Sequence, residues 1–165
     1  MAVPPTGDDR GPRGASVDRR CDRRRGPVAR DRKIIGTHRV HVDGDVVLTR
    51  YIGVPEHEHV IEIHRRLDRV LAEHGRLFVI NDMRHTGIPS TETRRWIAEW
   101  ARRQHTVAAL INFGASLPIR MAQGLLMRAS SLLGRPFPVV PINCTTEAEA
   151  LAIVDDLRRK LPAVK

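Results

Sequence analysis

The chain has 165 residues, of which 41% are hydrophobic, 28% are charged and only 4% are aromatic, and its formal net charge is +9. This length suits one ordinary domain with its own core. No stretch approaches the roughly 18 uninterrupted apolar residues of a membrane helix, and the amino terminus lacks the apolar segment of a secretory signal. We therefore expect no membrane span. Cys21 and Cys144 are poorly placed for a disulfide, which favours a reducing cytoplasm. The scarcity of aromatic residues argues against a surface that stacks nucleic-acid bases.

More than half of the net charge lies in the first 33 residues, which carry ten Lys or Arg and five Asp or Glu. This segment is rich in Pro, Gly, Asp and Arg and has few large apolar side chains, so it cannot offset the entropy of ordering. We predict a disordered basic tail over residues 1–33 and one α/β domain over residues 34–165. The arginines between positions 19 and 25 could contact a polyanion, and elsewhere we expect no nucleic-acid binding. A start codon assigned too far upstream would also explain the tail.

A β-hairpin is the first predicted structure after the tail. Val40 and Val42 precede an Asp-Gly pair at positions 43 and 44, and Val46 and Leu48 follow it. An Asp-Gly pair between apolar alternations is a strong hairpin signal.

The rest of the chain alternates between helical and strand patterns. From Val60 to Leu71, apolar residues recur at steps of three and four, and Gly75 suits the end of that helix. The segments "STETRRWIAEWARRQ", "SLPIRMAQGLLMRASSLLG" and "TTEAEALAIVDDLRRKL" predict three more helices, with Trp96 and Trp100 of the second facing the core. The runs "RLFVIND" and "TVAALINFG" are typical of buried parallel strands, and "PFPVVPIN" predicts a short strand near the sheet edge. Ser116 is expected to cap the third helix, and Thr146 with Glu149 to form a capping box on the last.

The predicted order is β-β-α-β-α-β-α-β-α, which indicates an α/β fold with a mostly parallel central sheet. Over residues 36–161 this order resembles the STAS domain of bacterial anti-sigma-factor antagonists. In that family a strand ends in an aspartate, and a phosphorylatable serine in an Asp-Ser-Ser-Gly motif caps the second helix. Here Asp82 ends a strand, and Ser90 and Thr91 begin the second helix. Pro89 stands where the motif has the aspartate before the serine, and Glu92 stands where it has the glycine.

The resemblance implies a non-enzymatic regulatory or protein-interaction module, possessing no cofactor, whose second and third helices meet a protein partner. A homodimer stays open as an alternative. The residues themselves predict that Ser90 caps the second helix, where the helix dipole also favours a phosphate. Arg94, one turn further on, could pair with that phosphate. Asp82, Ser90, Thr91 and Arg94 are therefore the candidate switch or partner site.

Two other functions remain open. The third helix is apolar nearly all round, so it is either buried or in contact with another molecule; core packing is the favoured interpretation. A pocket beneath it for a small apolar ligand or lipid would suit the related SEC14-like proteins. An enzyme is the remaining alternative, because Asp82 and His85 at the carboxyl end of a strand could form an acid–base pair.

Histidines cluster in "EHEHVIEIH", at His57, His59 and His64. Their spacing does not match the helical pattern of a metal site, in which two histidines lie four residues apart. We expect exposed helix histidines and no metal ion.

Overall fold

The computed structural model describes residues 31–161, so the predicted tail lies almost entirely outside the described residues. These residues form six strands and four helices: β1 (Asp31–Ile35), β2 (His38–Asp43), β3 (Val46–Gly53), α1 (His57–His74), β4 (Leu77–Thr86), α2 (Thr91–Arg103), β5 (Val107–Phe113), α3 (Leu117–Leu132), β6 (Ile142–Cys144) and α4 (Glu147–Lys160). None of these helices is long and apolar enough to cross a membrane.

The strands form one sheet in the order β1-β2-β3-β4-β5-β6. β1, β2 and β3 are antiparallel neighbours, while the pairings from β3 to β6 are parallel. The predicted α/β class, the mostly parallel sheet and the alternation of helices and strands are therefore confirmed. The structure adds one strand, since β1 begins at Asp31, inside the segment that the sequence assigned to the tail.

The Asp-Gly turn joins β2 to β3 as predicted. Asp43 pairs with Val46 across the turn, and Gly44 has a φ of 59°. Such a left-handed conformation favours glycine because it has no side chain to clash with the backbone. The added strand uses a second turn of this kind, with Gly36 at φ 57° between β1 and β2.

Two apolar cores lie on the two faces of the sheet. On one face α1 and α2 pack against the strands, with Ile63 and Trp100 among the buried side chains. On the other face Ala150 and Val154 of α4 pack against Phe78, Ile80, Ile111 and Phe113. Right-handed crossovers between successive parallel strands place α3 on the same face as α1 and α2. The predicted inward orientation of Trp100 is confirmed.

Local capping signals define several helix ends. Gly75 ends α1 in a left-handed conformation and donates its N–H to the Leu71 carbonyl. Thr146 and Glu149 form the predicted capping box of α4. Ser116 stands at the predicted cap of α3, but its side chain makes no capping hydrogen bond.

Two strand boundaries differ from the sequence prediction. β4 continues through Thr86, where it pairs with Gly53, so the predicted loop from Met83 to Pro89 shrinks to its last three residues. β6 is Ile142–Cys144, so only the last two residues of the proline-rich run belong to it, because prolines cannot donate to a strand ladder. It does lie at the sheet edge, as predicted.

Candidate functional site

Asp82 lies at the centre of a charged network near the carboxyl ends of the parallel strands. Its side chain is fully buried. Its Oδ2 accepts hydrogen bonds from Arg50 Nε at 2.7 Å and from Arg84 Nη2 at 2.8 Å. Its Oδ1 accepts from Arg84 Nε at 2.9 Å and from the Arg84 backbone N–H at 3.2 Å. Both carboxylate oxygens therefore have at least two donors.

These donors determine the ionisation of Asp82. Burial raises the pKa of the Asp82 carboxyl, but hydrogen bonds from Arg84 and Arg50 outweigh burial and lower the pKa to about 2. Arg50 also reaches Glu147 at the start of α4, with 3.3 Å between Nη2 and Oε2. The network thus ties β3, β4 and α4 together, and Asp82 is a poor proton acceptor at neutral pH.

Gly114, just after β5, makes room for this network. A Cβ added there would lie 2.2 Å from the Cγ of Arg84, and its φ of 68° also favours glycine. The Arg84 guanidinium in turn lies 5.3 Å from the ring centroid of Phe113. The sequence prediction missed the roles of Arg50, Gly114 and Glu147. A signal for Arg50 was present, since it is the one charged residue of β3.

His85 does not complete an acid–base pair with Asp82. It is exposed near the end of β4, three positions from Asp82, and successive side chains of a strand alternate between faces. Within residues 31–161 no hydrogen bond or ion pair joins the two side chains. Asp82 and His85 therefore do not form the acid–base pair on which the enzyme hypothesis depends.

Ser90 caps α2, as predicted. Its Oγ accepts a hydrogen bond from the Thr93 backbone N–H at 3.1 Å and lies 2.9 Å from Thr93 Oγ1. A cap of this kind satisfies one of the free amides of the first helical turn.

Thr91 and Arg94 lie in the first turn of α2, directly after the Ser90 cap. The side chains of Ser90, Thr91 and Arg94 are all exposed. Arg94 Nη2 donates to Thr91 Oγ1 at 3.1 Å, so the guanidinium already lies beside one candidate hydroxyl. Asp82 is bonded to arginines on the α4 side of the sheet instead. The predicted site therefore divides into a structural network around Asp82 and an exposed helix start at residues 90–94.

Helix α3 is the main departure from the predicted core. Core packing was the favoured interpretation of its apolar sequence, and this is wrong. Within α3 only Ser130 is buried. Large side chains on the outside are strongly exposed: Leu117 at 61%, Met121 at 60%, Leu125 at 65% and Leu132 at 88%. We call these four residues the α3 stripe.

The sheet beneath α3 explains this exposure. Asn81, Asn112 and Asn143 lie side by side in register across β4, β5 and β6. They alternate with Ile80 and Ile111, which face α4, so the asparagines point to the opposite face. Asn81 Nδ2 donates to Asn112 Oδ1 at 2.9 Å. Asparagines thus occupy this face near the carboxyl ends of β5 and β6, where they offer α3 little apolar surface to bury.

The three helix histidines do not share one environment. His57 and His59 are partly exposed, whereas His64 is buried, which corrects the expectation of exposed histidines. The His64 ring stacks between Trp96 and Trp100, at centroid distances of 4.8 and 4.3 Å. Burial lowers the pKa of His64 to about 3. In the part of the chain that the structure describes, no group of three metal-ligating side chains is assembled.

A cleft between the β1–β2 hairpin and α1 bears on the small-ligand alternative. Its lining includes Asp31, Arg66, Arg69 and Glu73. A lining with so many charged side chains does not suit an apolar ligand.

Comparison with protein-family models finds no match, and comparison with curated proteins finds none either. Among solved structures, the protein is similar to the anti-sigma factor antagonist SpoIIAA in its unphosphorylated form, with a TM-score of 0.49 and 14% sequence identity. The alignment covers 77% of this chain and 98% of that chain. SpoIIAA is of the kind of protein that the predicted order of elements resembles.

Proposed function

We propose that the protein is a non-enzymatic regulatory module that binds a protein partner through α3 and the start of α2. The observation that carries this proposal is the exposed α3 stripe. A large apolar surface without a place in the core is typical of an interaction site.

The stripe is large enough to contribute substantially to binding. Burying one large apolar side chain is worth roughly 1.5–3 kcal/mol. Four such side chains on one helix would therefore offset a considerable part of the entropy that association costs. The same surface contributes little to folding, because the stripe points away from the sheet.

The polar network supports a role without catalysis. Asp82, the leading candidate for a catalytic acid or base, is held by Arg50 and Arg84 and has a pKa of about 2. Its contacts are those of a side chain that fixes the ends of β3 and β4. This structural role accounts for the burial of Asp82 without a catalytic function.

The start of α2 is the proposed regulatory position. A phosphate on Thr91 would lie beside Arg94, whose guanidinium already bonds the hydroxyl. A phosphate on Ser90 would meet the amino end of α2, although it would replace the present bond to Thr93. Either phosphate would add negative charge to the surface at the start of α2, and would so change the affinity for the partner.

The test uses one variant on the stripe and one matched control. Tagged wild type, Leu125→Asp and Leu151→Asp are expressed in the native host, and the proteins that they retain are identified and purified. Leu151 is also exposed, at 45%, but lies on α4. We expect a partner that wild type and Leu151→Asp bind and Leu125→Asp loses. Equal binding by all three would overturn the role of α3.

The switch is tested with the same partner. Ser90→Asp and Thr91→Asp should change its affinity, whereas Ser90→Ala and Thr91→Ala should behave like the unmodified protein. Phosphopeptides spanning residues 88–94 should be present in cells. If all four variants bind equally and no such phosphopeptide occurs, Ser90 is a helix cap only. Native mass spectrometry of the purified protein separates the small-ligand alternative, since a retained apolar molecule would support it.

A further inference from the structure

The α3 stripe runs along one side of its helix. Residues four apart on a helix lie on one face, and Leu117, Met121 and Leu125 follow that spacing. Leu132 lies two turns beyond Leu125 on the same side, with Arg128 between them. The half-buried Ile119 and Met127 lie on the opposite side, with the buried Ser130. The stripe is therefore an apolar surface that faces away from the sheet and is interrupted by Arg128.

The charged side chains on α3 and directly after it are all arginines. Arg120, Arg128 and Arg135 are exposed, and none of them forms an ion pair with any residue between 31 and 161. The sequence has no Asp or Glu from position 100 to position 146. Arg120 and Arg128 are eight residues apart, which is about 12 Å along a helix. A molecule on this surface would meet apolar side chains with Arg128 among them and Arg120 beside them.

A second copy of this chain fits the surface poorly. In a two-fold symmetric contact each molecule presents the same patch to the other. Two α3 stripes facing each other would bring Arg120 and Arg128 near their own counterparts. The segment supplies no carboxylate to neutralise them.

A lipid surface fits less well than a protein. Helices that lie in a membrane interface are rich in Lys and Arg and anchor themselves with Trp or Phe. α3 has two arginines, no lysine and no aromatic residue. It has two methionines instead, Met121 and Met127, whose flexible side chains adapt to varied protein surfaces.

We infer that the α3 stripe binds an acidic amphipathic helix of the protein partner. Apolar side chains of that helix contact the stripe, and its Asp or Glu residues pair with Arg120 and Arg128. A helix lying along another helix buries apolar residues at steps of three and four, which matches the spacing of the stripe. This inference rests on the proposed function and adds the chemistry of the partner segment.

Site-specific photo-crosslinking in the native host tests the inference. A photoreactive phenylalanine analogue replaces Leu125 in the full chain, and in a control it replaces Leu151 on α4. Crosslinked peptides are identified by mass spectrometry. We expect the analogue at position 125 to capture a segment with apolar residues at helical spacing and an excess of Asp and Glu, and the control to miss it.

Charge reversal then checks the ion pairs with the purified partner. Arg120→Glu with Arg128→Glu should weaken binding by about tenfold or more, mainly through faster dissociation. Reversing the matching carboxylates of the partner to Lys should restore affinity to the double variant. Circular dichroism of the double variant should match wild type, because both arginines are exposed.

The outcomes separate the inference from the proposed function. A protein crosslink at position 125 to a basic or uncharged segment would overturn the acidic helix and leave the protein-binding module standing. Crosslinks to lipid, to a second copy of this chain, or to nothing would overturn both. Unchanged affinity of the double arginine variant would also overturn the inference.

Discussion

Helices α3 and α4 follow neighbouring strands, yet they meet the sheet in opposite ways. α4 is the more polar of the two, and it still buries Ala150 and Val154 completely against Ile80, Ile111 and Phe113. α3 is apolar on most sides, and its large side chains lie in solvent. The difference lies in the sheet, which presents isoleucine and phenylalanine to α4 but carries asparagines on the opposite face near the carboxyl ends of β5 and β6. Burial of a helix depends on the surface it meets as much as on its own apolar content.

The largest expected effect tests the α4 side of this comparison. Phe113→Ala removes a ring that is 1% exposed and packs in the α4 core. It should lower the free energy of unfolding by about 3–5 kcal/mol, the usual cost of emptying such a site. Urea unfolding followed by circular dichroism measures the change. A loss below about 1 kcal/mol would mean that α4 does not hold this core together.

The next effect concerns the face that α3 shares with α1 and α2. His64 is neutral between its two tryptophans, since burial lowers its pKa to about 3, whereas the unfolded chain titrates near the ordinary histidine value of 6.5. The unfolded state therefore binds the proton first, and stability is lost as the pH falls from 6.5 toward 3. We expect a loss on the order of 4 kcal/mol over this window, at about 1.4 kcal/mol per unit of pKa difference.

His64→Phe is the control for this pH dependence. It keeps an aromatic ring in the stack and cannot be protonated. The slope of stability against pH between 6.5 and 3 should become shallower. Burial also lowers the pKa of His38, so some slope should remain. An unchanged slope in His64→Phe would show that the packing of α1 on α2 does not depend on a neutral imidazole.

A smaller effect is expected at the polar network. Asp82→Asn removes a buried charge that Arg50 and Arg84 share, and should cost about 2 kcal/mol because both guanidiniums can regain water. Wild-type stability from this group is present above pH 3.8 and is lost as the pH falls toward the folded pKa of about 2. The difference between wild type and Asp82→Asn should therefore shrink below pH 3.8. A constant difference would mean that the hydrogen bonds, and not the charge, stabilise the site.

The smallest expected effect is on α3 itself. Leu125→Ala removes an exposed side chain and should change the free energy of unfolding by less than about 0.5 kcal/mol. Hydrogen exchange should also show faster opening of α3 than of α4, since α3 has fewer buried contacts. A destabilisation near that of Phe113→Ala would show that the stripe is buried in solution, and would end the comparison with α4.

Features that depend on neighbouring residues were predictable from the sequence. The turn at Gly44, the stripe of α1 that ends at Gly75 and the capping box of Thr146 and Glu149 each need only a few adjacent positions. Ser90 belongs with them, because a helix cap is a local feature. The α/β class followed from the same alternation of local patterns.

Features that depend on distant pairing were not predictable. The exposure of α3 follows from Asn112 and Asn143, which become one row only when β5 and β6 pair in register. The full set of hydrogen bonds to the Asp82 carboxylate depends on Arg50, which is 32 positions away in the chain. The burial of His64 depends on Trp96 and Trp100, which belong to the next helix. The local patterns of a single sequence carry no information about such contacts.

The stack around His64 has a consequence for spectroscopy. The chain contains two tryptophans, and both lie against this one imidazole. Nearly all intrinsic fluorescence therefore originates at the junction of α1 and α2, and protonation of His64 should quench it. Emission will follow the separation of those two helices faithfully. α3 itself has no aromatic residue, so a molecule that binds α3 is followed best with a label placed on that helix.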